Sequence, residues 1–388
     1  MPSSLHQGGD AERDTIAASC VDTSAVEGRR RSEGTALGSV SATVIVPFHR
    51  GIQHLSACLA AIRVSLPDTP LIVAADGARE PLAPLCAAYD ATIVEIPGGP
   101  AGPAVARNRA AEHATGDILL FVDADVVVAP DALPGMRTVL ESEPHLAAVF
   151  GAYDHRPTAP GLVSQFKNLA HTYVHERGQR SASTFWAGLG AVRREAFLAV
   201  GGFDERFRRP SIEDVDLGQR MSAAGRTLRL DTRFRGTHLK RWTLLGCVRT
   251  DVCARGIPWV QLIHRSGAIA DDLNTTMHLR LSVVAAYGTL TAVVAAWWHV
   301  VGLIALVPSV AALLYLNRDF YMWCARCRGW TFAAAVVPLH FVHHLCNGIS
   351  FAIGSLLYIA ARAGTRLPGT LPLEPWALAA DRRESRIP

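Results

Sequence analysis

The stretch Gly116-Asp117-Ile118-Leu119-Leu120-Phe121-Val122-Asp123-Ala124-Asp125 decides the fold of this chain. Ile118-Leu119-Leu120-Phe121-Val122 is wholly apolar and too short for a buried helix, so it predicts a strand covered on both faces, as in parallel sheets flanked by helices. Two carboxylates one residue apart end the strand abruptly. Upstream, the same texture repeats. Thr43-Val44-Ile45-Val46 is a β-branched run stopped by Pro47, and Leu71-Ile72-Val73-Ala74 is a second strand stopping at Asp76-Gly77. Residues 91–96 read as a third. Helical stretches at 53–64 and 81–89 separate them, and Pro103 is well placed to open an Ala-rich helix after the loop 98–103. Strand and helix alternate, so the expected fold class is α/β with a mainly parallel central sheet. In such sheets ligands lie beyond the carboxyl ends of the strands, which selects His49, Arg50, Asp76, Asp123 and Asp125. Downstream the pattern is less regular. A strand is expected near 147–150, a Gly-containing strand or loop at 185–192, a helix from Arg194, and a helix at 213–224 closed by Gly225.

The 388 residues suffice for one large domain and an appendage, and only 19% are charged. The apolar excess gathers after residue 280: residues 281–316 contain no Asp, Glu, Lys or Arg, and neither do residues 330–361. Membrane attachment is therefore expected. Between these runs, Arg318, Asp319, Arg326 and Arg328 alternate with Phe320, Tyr321, Met322 and Trp323, a mixture suited to a helix at the membrane surface. The expected organisation is a disordered leader over 1–40, a catalytic domain over 41–272, a membrane domain over 273–366 with about two to four apolar helices and an interfacial segment at 317–328, and a tail over 367–388. A net charge of +4 suggests no nucleic-acid partner. Eight scattered cysteines and the absence of a secretory pattern suit a reducing compartment. The pair Cys324 and Cys327 lacks the partners a zinc site needs.

Paired acids at a strand end can hold a hard divalent cation, which bridges the phosphates of a nucleotide. Arg107, Asn108 and Arg109 interrupt the Ala-rich helix, and Arg carries the charge a diphosphate needs, directly or through an intervening acid. Glu213, Asp214 and Asp216 crowd a helix start. They either complement the helix dipole or raise one another's proton affinity, as a general base requires. Lys240-Arg241-Trp242 would meet a donor pyrophosphate, a lipid phosphate or anionic headgroups, and headgroups are the expected partner of Arg249, Arg255 and Arg265. Trp186 suits either a buried site or stacking on an acceptor sugar.

Taken in order, these segments resemble the family 2 glycosyltransferases, whose nucleotide-sugar domain has the GT-A fold. The likeness spans roughly residues 42–245. It rests on Val44-Ile45-Val46-Pro47-Phe48, Asp76-Gly77, Ala106-Arg107-Asn108-Arg109, the decisive stretch 116–125, Arg193-Arg194-Glu195-Ala196-Phe197 with Gly201-Gly202-Phe203-Asp204-Glu205, and Ile212-Glu213-Asp214-Val215-Asp216-Leu217. The resemblance implies a metal-dependent, hexosyltransferase-like enzyme that uses Mg2+ or Mn2+ and a nucleotide-diphosphate sugar, with inversion at the anomeric carbon. It assigns Asp214 as base and Glu213 as the residue orienting it. Pro47, Asp76, Arg107, Asp123 and Arg241 would bind the donor, and Asp123, Asp125 and His238 would hold the metal. The second strand ends in Ala74-Ala75-Asp76, where the family commonly has paired acids, so the base recognised may differ. The appended apolar region favours a lipid or lipid-linked glycan acceptor at a multi-pass cell membrane, with the catalytic domain cytoplasmic. The competing readings are a membrane-bound sugar-nucleotide sensor, which would have no use for Asp214, and a polysaccharide synthase, whose Q-x-x-R-W motif is matched only by Arg241-Trp242. A nucleotidyltransferase or an oxidoreductase would need Gly-rich phosphate loops that do not follow a strand here.

Overall fold

The apolar runs pair as β-strands in the computed structural model, which describes residues 40–266, 276–365 and 367–371. The expected leader (Val40 apart), the expected boundary at 272 and the tail beyond Leu371 lie outside the described residues. Strands β1 (Ala42–Phe48), β2 (Leu71–Ala75), β3 (Thr92–Glu95) and β4 (Ile118–Val122) are parallel in the order 3-2-1-4. Helices α1 (Ile52–Ser65), α2 (Leu82–Ala88) and α3 (Pro103–His113) connect them. Every residue of β2 and β4 is buried, which explains why neither alternates.

Beyond β4 the sheet becomes mixed. The chain continues through β5 (Val126–Val128), α4 (Ala132–Ser142), β6 (Leu146–Tyr153), α5 (Leu162–Arg177), β7 (Ser181–Ala182), β8 (Leu189–Arg193), α6 (Arg194–Ala199), α7 (Glu213–Ala223) and β9 (Thr227–His238). Strand β8 runs antiparallel between β4 and β6, while β9 lies parallel to β6 and antiparallel to β5 and β7. The order across the sheet is 3-2-1-4-8-6-9-5. A parallel half joined through β4 to a mixed half is the expected GT-A-type α/β architecture. The paired acids lie at the seam, because Asp123 N–H donates to Gly188 O just ahead of β8.

After β9 the chain forms α8 (Leu244–Arg249), a π-helical turn (Thr250–Gly256) and α9 (Ile257–Ser266), one helix in succession. Then α10 (Met277–Ala296) and α11 (Val300–Leu316) form an antiparallel hairpin. Asn317 Nδ2 donates to Ser282 Oγ at 3.0 Å at its base, and Gly302 packs on the Ala296 backbone near its tip. α12 (Arg318–Arg328) turns away from α11 by 61°, and α13 (Trp330–Arg362) follows. α10 and α13 are long and apolar enough to cross a membrane, and α11 with α12 makes a third candidate if they are one bent span.

The segment expected at the membrane surface is helical, but its aromatic face is turned toward protein. Phe320, Tyr321 and Cys324 pack with Phe166 of α5 and with Ala333 and Val336 of α13. Phe166 and Tyr173 offer an apolar patch there, and covering it removes that patch from water. Cys324 belongs to this cluster, in keeping with a packing role for the Cys pair.

Candidate active site

The acids that reach the site do so from strand ends or a helix start. Asp123 and Asp125 occupy the turn between β4 and β5, closed by Val126 N–H donating to Asp123 O. Arg107 approaches from α3, fully enclosed, and its guanidinium forks. One end donates to Asp123 Oδ1 at 2.7 Å and the other to Glu213 Oε1 at 2.9 Å. The ring of Phe203 covers it at 5.3 Å. Burial alone would lower the Arg107 pKa, but Asp123, Glu213 and Asp214 together raise it above its ordinary value. Arg107 therefore acts through the acids it joins. Beside it, Asn108 pairs with both backbone groups of Phe203, each at 2.9 Å, and so fixes the 201–205 loop.

Both Glu213 oxygens are engaged, one by the Arg107 guanidinium and the other by Ser211 N–H at 2.9 Å. Asp214 is different. Its oxygens accept from backbone N–H groups and not from a cation, Oδ1 from Val215 at 2.9 Å and Oδ2 from Ala187 at 3.3 Å, and burial, followed by the Glu213 carboxylate, pushes its pKa up to about 7 against the opposing pull of Arg107 and Arg255. Asp216 points away into the core, where Arg220 Nε donates to it at 2.9 Å, and it takes no part in the pocket. The crowding at this helix start thus resolves into three environments.

On the opposite side, Asp125 Oδ2 lies 3.4 Å from His238 Nε2 at the end of β9. Burial would raise the Asp125 pKa, but His238, Lys240 and His54 hold it below the ordinary carboxylate range. Asn168 of α5 fixes the imidazole. Its Oδ1 accepts from Trp242 Nε1 at 3.2 Å, and an indole N–H can only donate, so that atom is the amide oxygen. His238 Nδ1, at 2.7 Å from the same oxygen, must then carry a proton, so Nε2 is the nitrogen turned to Asp125: it donates to that carboxylate in the protonated ring and offers a lone pair to a cation in the neutral one. Tyr153 stacks on the ring at 4.4 Å. Among the described residues no three His, Cys, Asp or Glu side chains gather into a metal site. Asp125 and His238, with Asp123 beside them, make an incomplete donor set, which fits a cation whose remaining ligands come from phosphate oxygens and water.

Asp76 spends its carboxylate on the neighbouring loop, accepting from Ala101 N–H at 2.6 Å and Gly102 N–H at 2.8 Å. The loop passes so close that a Cβ at Gly99 would stand 2.8 Å from Asp76 Oδ1, and Gly102 adopts φ +106°. Pro47 pairs with Ala74 near the end of β1. Arg241 is exposed, whereas Lys240 rests its ammonium over the Trp242 ring at 4.2 Å. Trp186 is buried edge-to-face against Tyr153 and His175, so it is a core residue.

Two contributors were not read from the sequence. Asn168 lies on a helix with no local signal of function. Arg255, expected at headgroups, instead turns inward from the π-helical turn and donates to His171 Nε2. Burial and then Arg255 hold the His171 pKa well below its usual value, so the ring is neutral and can accept that bond. His238 lay within reach of strand periodicity. In β9, Leu228, Leu230, Phe234, Gly236 and His238 are buried on one face, an alternation broken only at Asp231 and Thr232.

Residues 43–201 match the family model described as glycosyl transferase family 2, and residues 168–241 match one described as the N-terminal domain of galactosyltransferase. An O-antigen biosynthesis protein, RfbC, from Myxococcus xanthus is 29% identical over 140 residues. That stretch is 32% of this chain and 11% of the relative, so the chain spans about a tenth of the relative's length. A mannosyltransferase from Pyrobaculum calidifontis, solved with GDP-Man and Mn2+, is similar at a TM-score of 0.49 and 17% identity, covering 83% of this chain and 88% of that one. Glucosyl-3-phosphoglycerate synthase from Mycobacterium tuberculosis, solved with Mn2+, UDP and glucosyl-3-phosphoglycerate, gives 0.38 and 17% over 52% of this chain and 73% of that one.

Proposed function

With residues 43–201 belonging to glycosyltransferase family 2, we propose that this chain is a membrane-anchored, inverting enzyme that moves a sugar from a nucleotide-diphosphate donor to a hydroxyl on a lipid or lipid-linked glycan. The observation that carries the reading is the single bridge through Arg107. It ties the donor-side acid Asp123 to Glu213, the immediate neighbour of Asp214.

Asp125 and His238 would hold a divalent cation, Mg2+ or Mn2+, and once bound there it supplies positive charge to the diphosphate oxygens. Lys240, over Trp242, adds a fixed cation on the same side. Asp214 accepts the proton of the acceptor hydroxyl as that oxygen attacks the anomeric carbon and the bond to the nucleoside diphosphate breaks. A base with a pKa near 7 is matched to that work near neutral pH. Attack from the face opposite the leaving group inverts the configuration. Asp76 holds the 98–103 loop against the end of β2, so it would shape the nucleobase site through that loop. The hairpin α10–α11 supplies the anchor, with Trp297 and Trp298 exposed at its tip, where indole side chains favour a membrane–water boundary. A cytoplasmic catalytic domain follows from the need to reach nucleotide sugars.

The test is donor turnover by the full chain in detergent with a panel of nucleotide sugars, lipid extract, and Mg2+ or Mn2+. Metal-dependent release of nucleoside diphosphate from one donor, with an inverted linkage in the lipid product, is expected. Donor binding without turnover under every condition would replace the transferase by a sensor.

A further inference from the structure

α13 has 33 residues and is apolar enough to cross a membrane, yet it meets the catalytic domain along nearly its whole length. Ala333 and Val336 pack on Phe166 of α5. His343 Nδ1 donates to Asp251 Oδ2 of the π-helical turn at 2.9 Å, where Asp251 also receives Lys167 of α5. Gly256 abuts Ser350, and Gly354 lies against Val260 of α9. Ser355 Oγ lies 2.8 Å from His264 Nε2, and Tyr358 stacks on that ring at 5.0 Å. From Ala333 to Tyr358, at roughly 1.5 Å per residue, the contacted stretch is about 38 Å long. A hydrocarbon core is about 30 Å thick. Were α13 to cross it, α5, the π-helical turn and α9 would have to enter the hydrocarbon beside it, and with them the Lys167–Asp251 pair, next to a pocket that must admit a water-soluble nucleotide.

The opposite face of α13 has the reverse character. Trp330, Ile349, Leu356 and Ile359 are exposed. We propose that α13 lies in the plane of the membrane between the catalytic domain and the bilayer, its outer face in the boundary between headgroups and acyl chains, and that the α10–α11 hairpin alone enters the hydrocarbon. This rests on the membrane-anchored reading. The bilayer is the occupant because the face is continuous with the hairpin: Tyr287 of α10 donates to Leu345 O of α13 at 2.9 Å. Arg318, Arg326 and Arg328, exposed on α12, border it and complement anionic headgroups. The acceptor would then reach Asp214 from the membrane surface without leaving it.

The experiment uses the full chain in sealed inverted membrane vesicles, with Cys20, Cys253 and Cys327 replaced by Ser and donor turnover checked. Single cysteines are introduced as Thr331→Cys and Ala363→Cys, just inside and just beyond the two ends of α13, and as Ser142→Cys on the catalytic domain. A membrane-impermeant maleimide is expected to label both ends as readily as the Ser142 position. Labelling of one end only after permeabilisation would overturn the proposal, since the helix would then cross. A fluorophore on Leu356→Cys is expected to be quenched by lipids brominated near the headgroup. Absence of quenching by any brominated lipid would mean that protein, such as a second copy, covers this face, and would overturn it too. Release of the chain by alkaline carbonate would instead remove the anchored reading itself, a separable failure.

Discussion

Asp125 and Asp214 are carboxylates of one pocket, and the protein drives them in opposite directions. Both are half-buried, and burial by itself raises the proton affinity of either. At Asp125 a fixed imidazole, Lys240 and His54 outweigh that cost and keep the group ionised. At Asp214 the nearest influence after burial is another carboxylate, Glu213, and the result is a group poised near 7. Such a split assigns the work: an anion that stays charged for a cation, and a base that picks up and releases protons near neutrality. Arg107 keeps the two sides distinct. By neutralising Asp123 and Glu213 it leaves Asp214 as the acid whose proton can move.

The sharpest break of this comparison is Asp214→Asn. The expected loss in kcat is about 10³-fold, within the range for removing a positioned base, with donor KM little changed. The same assignment predicts the pH profile. The base works ionised, so the rate should fall about tenfold per pH unit below a midpoint near 7 and level off above it. Asp125, held low, adds no second limb in that window. Steady-state turnover across the range checks both points, and a flat profile between about pH 5 and 8 would end the role given to Asp214.

Arg107→Met attacks both sides at once. Asp123 and Glu213 would be left facing each other without a cation, Glu213 almost wholly buried. Removing one partner from such a network costs about 3–5 kcal/mol. A large drop in melting temperature is expected, with turnover reduced about 10²-fold in whatever folds. Arg107→Lys should recover part of the stability and little of the rate, because a single ammonium cannot span both carboxylates as the fork does. If calorimetry and turnover show Lys equivalent to Arg, the bridge is only a charge and the geometric reading falls.

Sequence reading reached some parts of this arrangement and not others, for a physical reason. β1 to β4 were legible because each is a short apolar run whose burial is dictated locally, and the acids after them follow from where such strands end. The helix carrying Glu213 and Asp214 was legible from its Gly225 stop. In the mixed half β6 was legible near 147–150 and β8 was half-read as a Gly-containing strand or loop, while β5 and β7 were not, because they are short and their antiparallel pairing is decided by tertiary contacts. Arg255 and Asn168 left no local trace. One is aimed inward by a π-helical turn clamped between Ser211 and Ser350, and the other is an ordinary helix residue until Trp242 and His238 meet it. The length of α13 suggested a span, and only its partners show that the face opposite the lipid-like one is covered by the catalytic domain.

The mildest prediction concerns Asn168, which touches neither substrate nor cation. Its oxygen is the acceptor that keeps the proton on His238 Nδ1. In Asn168→Leu that acceptor is gone, and the imidazole can hold its proton on Nε2 instead, donating to Asp125 at the position a cation would need. Removing an orienting partner of this kind typically weakens metal affinity by about 10- to 100-fold. The Mn2+ concentration for half-maximal turnover, and Mn2+ binding followed by spin resonance, should both rise by that factor. The melting temperature should move little, and kcat at saturating metal should be largely restored. Loss of kcat that saturating Mn2+ does not restore would place His238 in the packing around Tyr153. An unchanged metal requirement would remove it from the donor set, leaving the acids at the end of β4 to hold the cation alone.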